Sequence, residues 1–224
     1  MSKKKWTAVD RYISEALIPA DPVLEAALAA SDKAGLPSIA VTPGQGRLLM
    51  ILAQAIGART ILELGSLGGY STIWLARALP ADGRLITLEF DPKHAEVTRA
   101  NVARAGFADK VEIRIGKALE TLPELALEGL APFDFIFIDA DKGNYPGYVE
   151  WAVKLSHPGT LIIGDNVVRD GKVIDANDPD PSIQGVRRMN EIIAAEPRLV
   201  ATAIQTVGSK GYDGFMIAIV KNPE

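Results

Sequence analysis

The sequence predicts an α/β domain built on a doubly wound, mostly parallel sheet of seven strands with an antiparallel edge strand and added N-terminal helices. Three observations carry this. Short apolar, β-branched runs recur at 60–64, 84–90, 111–115, 133–139 and 160–164, nearly continuous in hydrophobicity as parallel strands covered on both faces are. Helical stretches lie between them at 71–79, 92–105, 117–127 and 145–155, which implies right-handed crossovers. The last two runs, 199–206 and 214–220, are too close for a crossover helix and are expected to pair antiparallel at the sheet edge.

Each element has local chemistry to support it. Asp21-Pro22, Thr42-Pro43 and Asp91-Pro92 pair a capping oxygen with a proline at the first helical position, and Thr42 with Gln45 has capping-box spacing. Val9, Tyr12, Ile13, Ala16 and Leu17 repeat at helical spacing, so residues 1–40 read as a helical addition to a core of 41–224, together one domain. After the fifth strand come a loop at 167–181 and a helix near 182–195. No internal repeat or low-complexity segment interrupts the chain.

Composition narrows the function classes. With 224 residues, 48% hydrophobic and 23% charged, the chain can bury a substantial core and has no apolar run long enough to span a bilayer, so no membrane partner is expected. Absence of cysteine excludes disulfides and thiolate metal sites and makes a cytoplasmic location the expectation. A net charge of −4 gives no reason to expect nucleic acid, and Lys3 to Lys5 read as a solvated tail.

Open α/β sheets bind ligands beyond the carboxyl ends of their strands. At the first such end the glycines are Gly65, Gly68 and Gly69, and Leu67 stands where the dinucleotide fingerprint has its second glycine, so close approach of a pyrophosphate is disfavoured. Glu89 ends the second strand, where a carboxylate can accept both hydroxyls of a ribose. Glu63, inside the strand, is expected to want a cationic or hydrogen-donating ligand, such as the ammonium of S-adenosylmethionine, with Ser71 bonding the neighbouring carboxylate of that ligand. The plain alternative is a tight strand-to-helix turn with Glu89 as a solvated charge.

A second acidic group lies at 139–142 and 165–166. Asp139, Asp165 and Asn166 fall at the ends of neighbouring strands, and oxygen ligands without His or Cys suit Mg²⁺ or a similar divalent cation better than zinc. Asp139 and Asp165-Asn166 could instead cap the turns that follow them, and Lys142 could be salt-bridged to Asp141. His94 and His157 read as structural.

Together ILELGSLGGYS, Glu89, FIDADKGNY and GDNV resemble the cation-dependent O-methyltransferase family that includes catechol and caffeoyl-CoA methyltransferases, from about Thr42 onward, and most of all its bacterial small-molecule branch. The resemblance implies a class I, Rossmann-like methyltransferase fold and a homodimer. It implies S-adenosyl-L-methionine as cofactor, contacted by Val41, Glu63, Gly65, Ser66, Ser71, Glu89, Ala118, Asp139 and Asp141. It also implies Mg²⁺, or another divalent cation such as Mn²⁺ or Ca²⁺, on Asp139, Asp165 and Asn166, and places Lys142, with Asp139, in catalysis as the general base. The acceptor implied is a small vicinal diphenol. Asp170 and the SKGYDGF segment depart from the plant caffeoyl-CoA enzymes, which argues against that substrate; the loop 167–181 is expected to edge the acceptor pocket, with Tyr212 as an aromatic wall. The same chemistry on a hydroxylated nucleoside in RNA, a nicotinamide-dependent dehydrogenase, and a cofactor-binding module without chemistry are the alternatives.

Overall fold

Strand β1 (Thr60–Leu64) pairs in parallel with β2 (Arg84–Glu89), and β2 with β3 (Val111–Ile115). These come from a computed structural model, which describes residues 2–222. The chain forms two compact units, Asp10–Thr121 and Met1–Val9 with Leu122–Glu224. In the first, β1 and β2 are buried almost throughout, whereas β3, at the sheet edge, is half-buried to exposed along its length, with Ile115 exposed at its end. Helix α2 (Pro22–Lys33) is capped by the Asp21 carboxylate, which accepts from Val23 N and Leu24 N, and α3 (Pro43–Ala55) by Thr42 Oγ1, which accepts from Gln45 N. Helix α4 (Tyr70–Ala78) follows β1, and α5 (Pro92–Arg104), capped by Asp91, follows β2. Helix α6 (Ala118–Leu127) follows β3.

In the second unit, β4 (Phe133–Ile138) pairs in parallel with β5 (Ser156–Asp165). Strand β7 (Gly211–Val220) runs antiparallel to both β5 and β6 (Leu199–Gly208). Helix α7 (Tyr145–Lys154) joins β4 to β5, and α8 (Pro181–Ala195), capped by Asp180, precedes β6. The sheet has seven strands in the order β3-β2-β1-β4-β5-β7-β6, the doubly wound topology expected, with the antiparallel pairing at one edge.

The differences from expectation are local. The run at 84–90 ends one residue early, with Phe90 exposed, because its side chain lies past the last ladder bond. The final hairpin is longer than expected, closing between Gly208 and Gly211, since a glycine with φ of 107° lets the chain reverse tightly there. Helix α1 (Lys3–Leu17) forms, but its apolar stripe is uncovered: Val9, Tyr12, Ile13 and Leu17 are all exposed.

Candidate active site

Beyond β1 the chain turns through 65–69, and the glycine positions follow from close packing. A Cβ on Gly68 would lie 2.0 Å from Ser31 Oγ of α2, and one on Gly69, at φ of 81°, would lie 3.1 Å from Thr98 Cγ2 of α5. Leu67 takes a left-handed φ of 52° without being glycine. What holds it is Glu89: Oε2 accepts from Leu67 N at 2.8 Å and from Ser66 N and Oγ at 3.1 Å each. Thr98 Oγ1 donates to the Leu67 carbonyl and Asn101 Nδ2 to that of Gly68, so the turn is tied down from two sides.

Glu89 is therefore a buried brace and not a solvated charge. Its second oxygen, Oε1, accepts from Asp91 N at 3.0 Å and has His94 Nδ1 at 3.7 Å. Glu63 is fully buried, and its carboxylate accepts from Ser71 Oγ at 2.6 Å, Thr72 Oγ1 at 2.5 Å and Thr87 Oγ1 at 2.7 Å. The expectation that Glu63 needs a ligand to offset its burial is thus corrected: three hydroxyls of the chain already do so, Ser71 among them. Val41, Gly65 and Ala118 lie in this same unit, Val41 buried and Ala118 at the first position of α6.

The second acidic group is assembled at the ends of β4 and β5. Lys142 Nζ donates to Asp139 Oδ1 at 2.6 Å, with the lysine side chain only 9% exposed, and sits 5.1 Å from the centre of the Tyr145 ring. The ion pair that was the alternative reading for Lys142, with Asp141, is not the one formed: Lys142 pairs with Asp139. Asp141 accepts from Tyr148 Oη and, at 2.6 Å, from Asn144 Nδ2. Asp165 is buried and its Oδ1 accepts from Asn166 N at 2.8 Å, which supports the left-handed φ of 55° at Asn166. His157 bonds Asp134 at 2.8 Å near the other end of the strands, a structural role as expected.

Tyr145 joins the two strand ends. Its hydroxyl lies 3.0 Å from the Ile138 carbonyl and 2.8 Å from that of Asp165, and its ring is fully buried. Burial holds its phenol pKa well above the ordinary value, and the charges of Asp139 and Asp165 add to the effect, so both carboxylates face this one side chain. Tyr148 is raised as well, by burial and then by its bond to Asp141. Among the described residues no three carboxylates, imidazoles or thiolates cluster as a metal site; the set here is two carboxylates and the Asn166 carboxamide. Such hard oxygens, with two negative charges, fit a divalent cation that completes its shell with water or substrate oxygens.

The O-methyltransferase family model matches residues 15–218. The chain belongs to that family. Among its relatives, a catechol O-methyltransferase of Niastella koreensis is 54% identical over 99% of this chain and 100% of its own, and one of Mycobacterium tuberculosis is 52% identical over 95% of each. A Eucalyptus globulus caffeoyl-CoA O-methyltransferase is 36% identical over 69% of this chain and 66% of its own. The crystal structure of a Bacillus cereus O-methyltransferase in complex with SAH superposes with a TM-score of 0.97 at 59% identity, covering 98% of this chain and 100% of that one. A Streptomyces achromogenes O-methyltransferase in complex with SAM gives 0.96 at 49% identity, covering 99% and 100%.

Within this O-methyltransferase, three supporting positions escaped the reading of the sequence. Tyr145 was legible only as a helix start. Gly185 lies where α8 crosses residues 142–143, and a Cβ there would meet the Lys142 carbonyl oxygen at 2.1 Å. Asp213 Oδ1 accepts from Val168 N, Arg169 N and Gly214 N, fixing the loop after β5. Their roles were not legible because each depends chiefly on backbone that only the fold brings near: the Asp165 carbonyl, the Lys142 carbonyl and the Val168 and Arg169 amides. A cleft of about 500 Å³ in the second unit is lined by loop residues Arg169, Asp170 and Lys172 and by Tyr212, the segment expected to edge the acceptor.

Proposed function

We propose that this O-methyltransferase moves the methyl group of S-adenosylmethionine to one hydroxyl of a small vicinal diphenol, with Mg²⁺ or another divalent cation bound. The observation that carries the reading is Lys142, nearly buried and 2.6 Å from Asp139 at the end of β4. Asp139, Asp165 and Asn166 would hold the cation. Val41, Glu63, Gly65, Ser66, Ser71, Glu89, Ala118, Asp139 and Asp141 would contact the methyl donor, Glu89 through Oε1 toward the ribose hydroxyls. The Bacillus and Streptomyces relatives, solved in complex with SAH and SAM, support that donor.

When bound, the cation supplies Lewis acidity that lowers a phenol pKa and orients its oxygen, while the sulfonium supplies the electrophilic methyl. Lys142 Nζ, in its neutral amine form, receives the hydroxyl proton, and the Asp139 carboxylate, which it contacts, pairs with the ammonium so formed. Tyr145 holds the backbone of both strand ends while this occurs. A homodimer through α1 is part of the proposal, supported by Tyr12 and Leu17, which are 72% and 68% exposed on its apolar stripe. So is a cytoplasmic setting, in keeping with a chain that has no cysteine.

The test is methyl transfer from labelled S-adenosylmethionine to catechol with and without EDTA. Loss of turnover in EDTA and recovery on adding Mg²⁺ is the expected result. Full turnover in EDTA would remove the cation from the reading, and no product from any diphenol in Mg²⁺ would remove the acceptor class.

A further inference from the structure

The loop after β5 holds an unusual backbone. Among the described residues four other than glycine take a left-handed φ, and three of them, Asn166, Arg169 and Asp170 at 55°, 56° and 58°, fall within residues 166–170, with Gly171 continuing the run at 80°. Asn and Asp tolerate that region through their short polar side chains, but arginine does not, so Arg169 persists there only because its surroundings impose it. The fourth such residue, Leu67, is held by Glu89 Oε2, which accepts its N–H and that of Ser66. The same device recurs after β5. Asp213 Oδ1 accepts from Val168 N and Arg169 N, each at 3.0 Å, and from Gly214 N at 2.9 Å.

Tyr212 and Gly214 of β7 complete the clamp. The Gly214 carbonyl accepts from Val167 N at 3.0 Å and the Tyr212 carbonyl from Asp170 N at 3.1 Å, so the four successive amides 167 to 170 are all bound by residues 212–214. Gly214 must be glycine for the loop to lie so close: a Cβ there would stand 2.7 Å from Val168 Cγ2 and 2.3 Å from the Ile204 carbonyl oxygen. Any strand could supply the two carbonyls. The middle pair of amides needs the Asp213 side chain.

Asn166 stands at the head of this loop, between Asp165, whose Oδ1 accepts from Asn166 N at 2.8 Å, and the clamped Val167. The direction of a side chain is set by the φ and ψ of its own residue, so a loop free to leave the left-handed region would redirect the Asn166 carboxamide. We propose that Asp213 is a positioning residue of the active site: its carboxylate offsets the backbone strain of residues 166–171 and so aims the Asn166 carboxamide toward the cation it would hold. This rests on the reading of Asn166 as a cation ligand. Asp213 acts through backbone amides rather than as a ligand itself.

The charge of Asp213 also reaches the buried Tyr145 phenol, so the test separates charge from bonding. Asp213→Asn keeps an oxygen at the Oδ1 position and removes the charge; Asp213→Glu keeps the charge and carries the oxygen a methylene away from the three N–H groups. Asp213 is half-buried and lines a cleft of about 500 Å³, which gives the longer side chain room. Mn²⁺ binding to the protein without donor or acceptor is read by loss of the free-ion electron paramagnetic resonance signal, and SAH affinity by calorimetry. Asp213→Glu should weaken Mn²⁺ about tenfold or more and Asp213→Asn by no more than about threefold, with SAH affinity within about twofold of the parent in both. Glycine carries no penalty at left-handed φ, so adding Arg169→Gly to Asp213→Glu should recover most of the lost Mn²⁺ affinity once the effect of Arg169→Gly alone is subtracted. Full Mn²⁺ affinity in Asp213→Glu, or an equal loss in both Asp213 variants, would overturn the positioning role. So would failure of Arg169→Gly to recover any of the loss, or an equal fall in SAH affinity, which would mark a general loosening of the fold. A parent that binds no Mn²⁺ would instead overturn the cation reading, and the positioning role with it.

Discussion

The glycine turn after β1 and the carboxyl ends of β4 and β5 both carry buried or half-buried acids, but the two regions satisfy them differently. Glu63 and Glu89 receive fixed dipoles: hydroxyls of Ser71, Thr72 and Thr87 on one, and N–H and hydroxyl groups of Ser66 and Leu67 on the other. Asp139 receives an ion-pair partner, Lys142, and the two strand ends are tied by the Tyr145 hydroxyl at the Ile138 and Asp165 carbonyls. A carboxylate held by several neutral donors of the fold is fixed in place, whereas one held by a single lysine ammonium is freer to exchange partners. The first region is braced by the fold's own dipoles; the second holds its acid through an ion pair.

The largest effect should come from Lys142→Met, which lowers kcat by about 10²- to 10⁴-fold while leaving SAH affinity, read by calorimetry, near that of the parent. An equal loss of SAH affinity would mean that the two regions do not divide donor binding from chemistry. Tyr145→Phe removes the hydroxyl that bridges the Ile138 and Asp165 carbonyls, and should cost about 1–3 kcal/mol in denaturant unfolding and weaken Mg²⁺ roughly tenfold. Unchanged Mg²⁺ affinity would separate the strand ends from the proposed metal site.

Glu89→Gln replaces an acceptor of several donors with a side chain that carries its own N–H₂, so it should destabilise the fold by about 1–3 kcal/mol and weaken SAH at the same time. A Gly185→Ala change forces α8 off the Lys142 carbonyl and should cost about 1–3 kcal/mol, with kcat falling more than SAH affinity. The smallest effect belongs to the cap of α2. The hydrogen bond from Arg77 holds Asp21 below the ordinary carboxylate range, against the opposing effect of burial, with the backbone bond from Leu24 adding to it. A lowered folded pKa stabilises above the unfolded value and that stabilisation is lost as pH falls through the folded one. Asp21→Ala should therefore cost about 1 kcal/mol at neutral pH, and the gap to the parent in thermal melts should close on acidification.

Much of this was legible along the chain because it is local. Apolar runs set β1, β2 and β4, Asp-Pro and Thr-Pro pairs set the helix starts, and the spacing of Asp139, Lys142, Asp165 and Asn166 on two strand ends marked the acidic group. The partners of those residues were not legible. Nothing near Glu63 in sequence reports that Thr87, 24 residues away, will reach its carboxylate, and Lys142 prefers Asp139 over its neighbour Asp141 because Tyr148 and Asn144 already occupy the latter.

By itself, then, the sequence determined which elements form and which residue types stand at their ends, since periodicity, caps and strand composition act within a few residues. Tertiary structure decided who satisfies whom: that Gly68 and Gly69 serve close helix packing, that Gly185 makes room for Lys142, and that three cations gather on one cleft from α1 and the loop after β5. Those outcomes depend on distances between segments far apart in the chain, and they exist only once the backbone has closed.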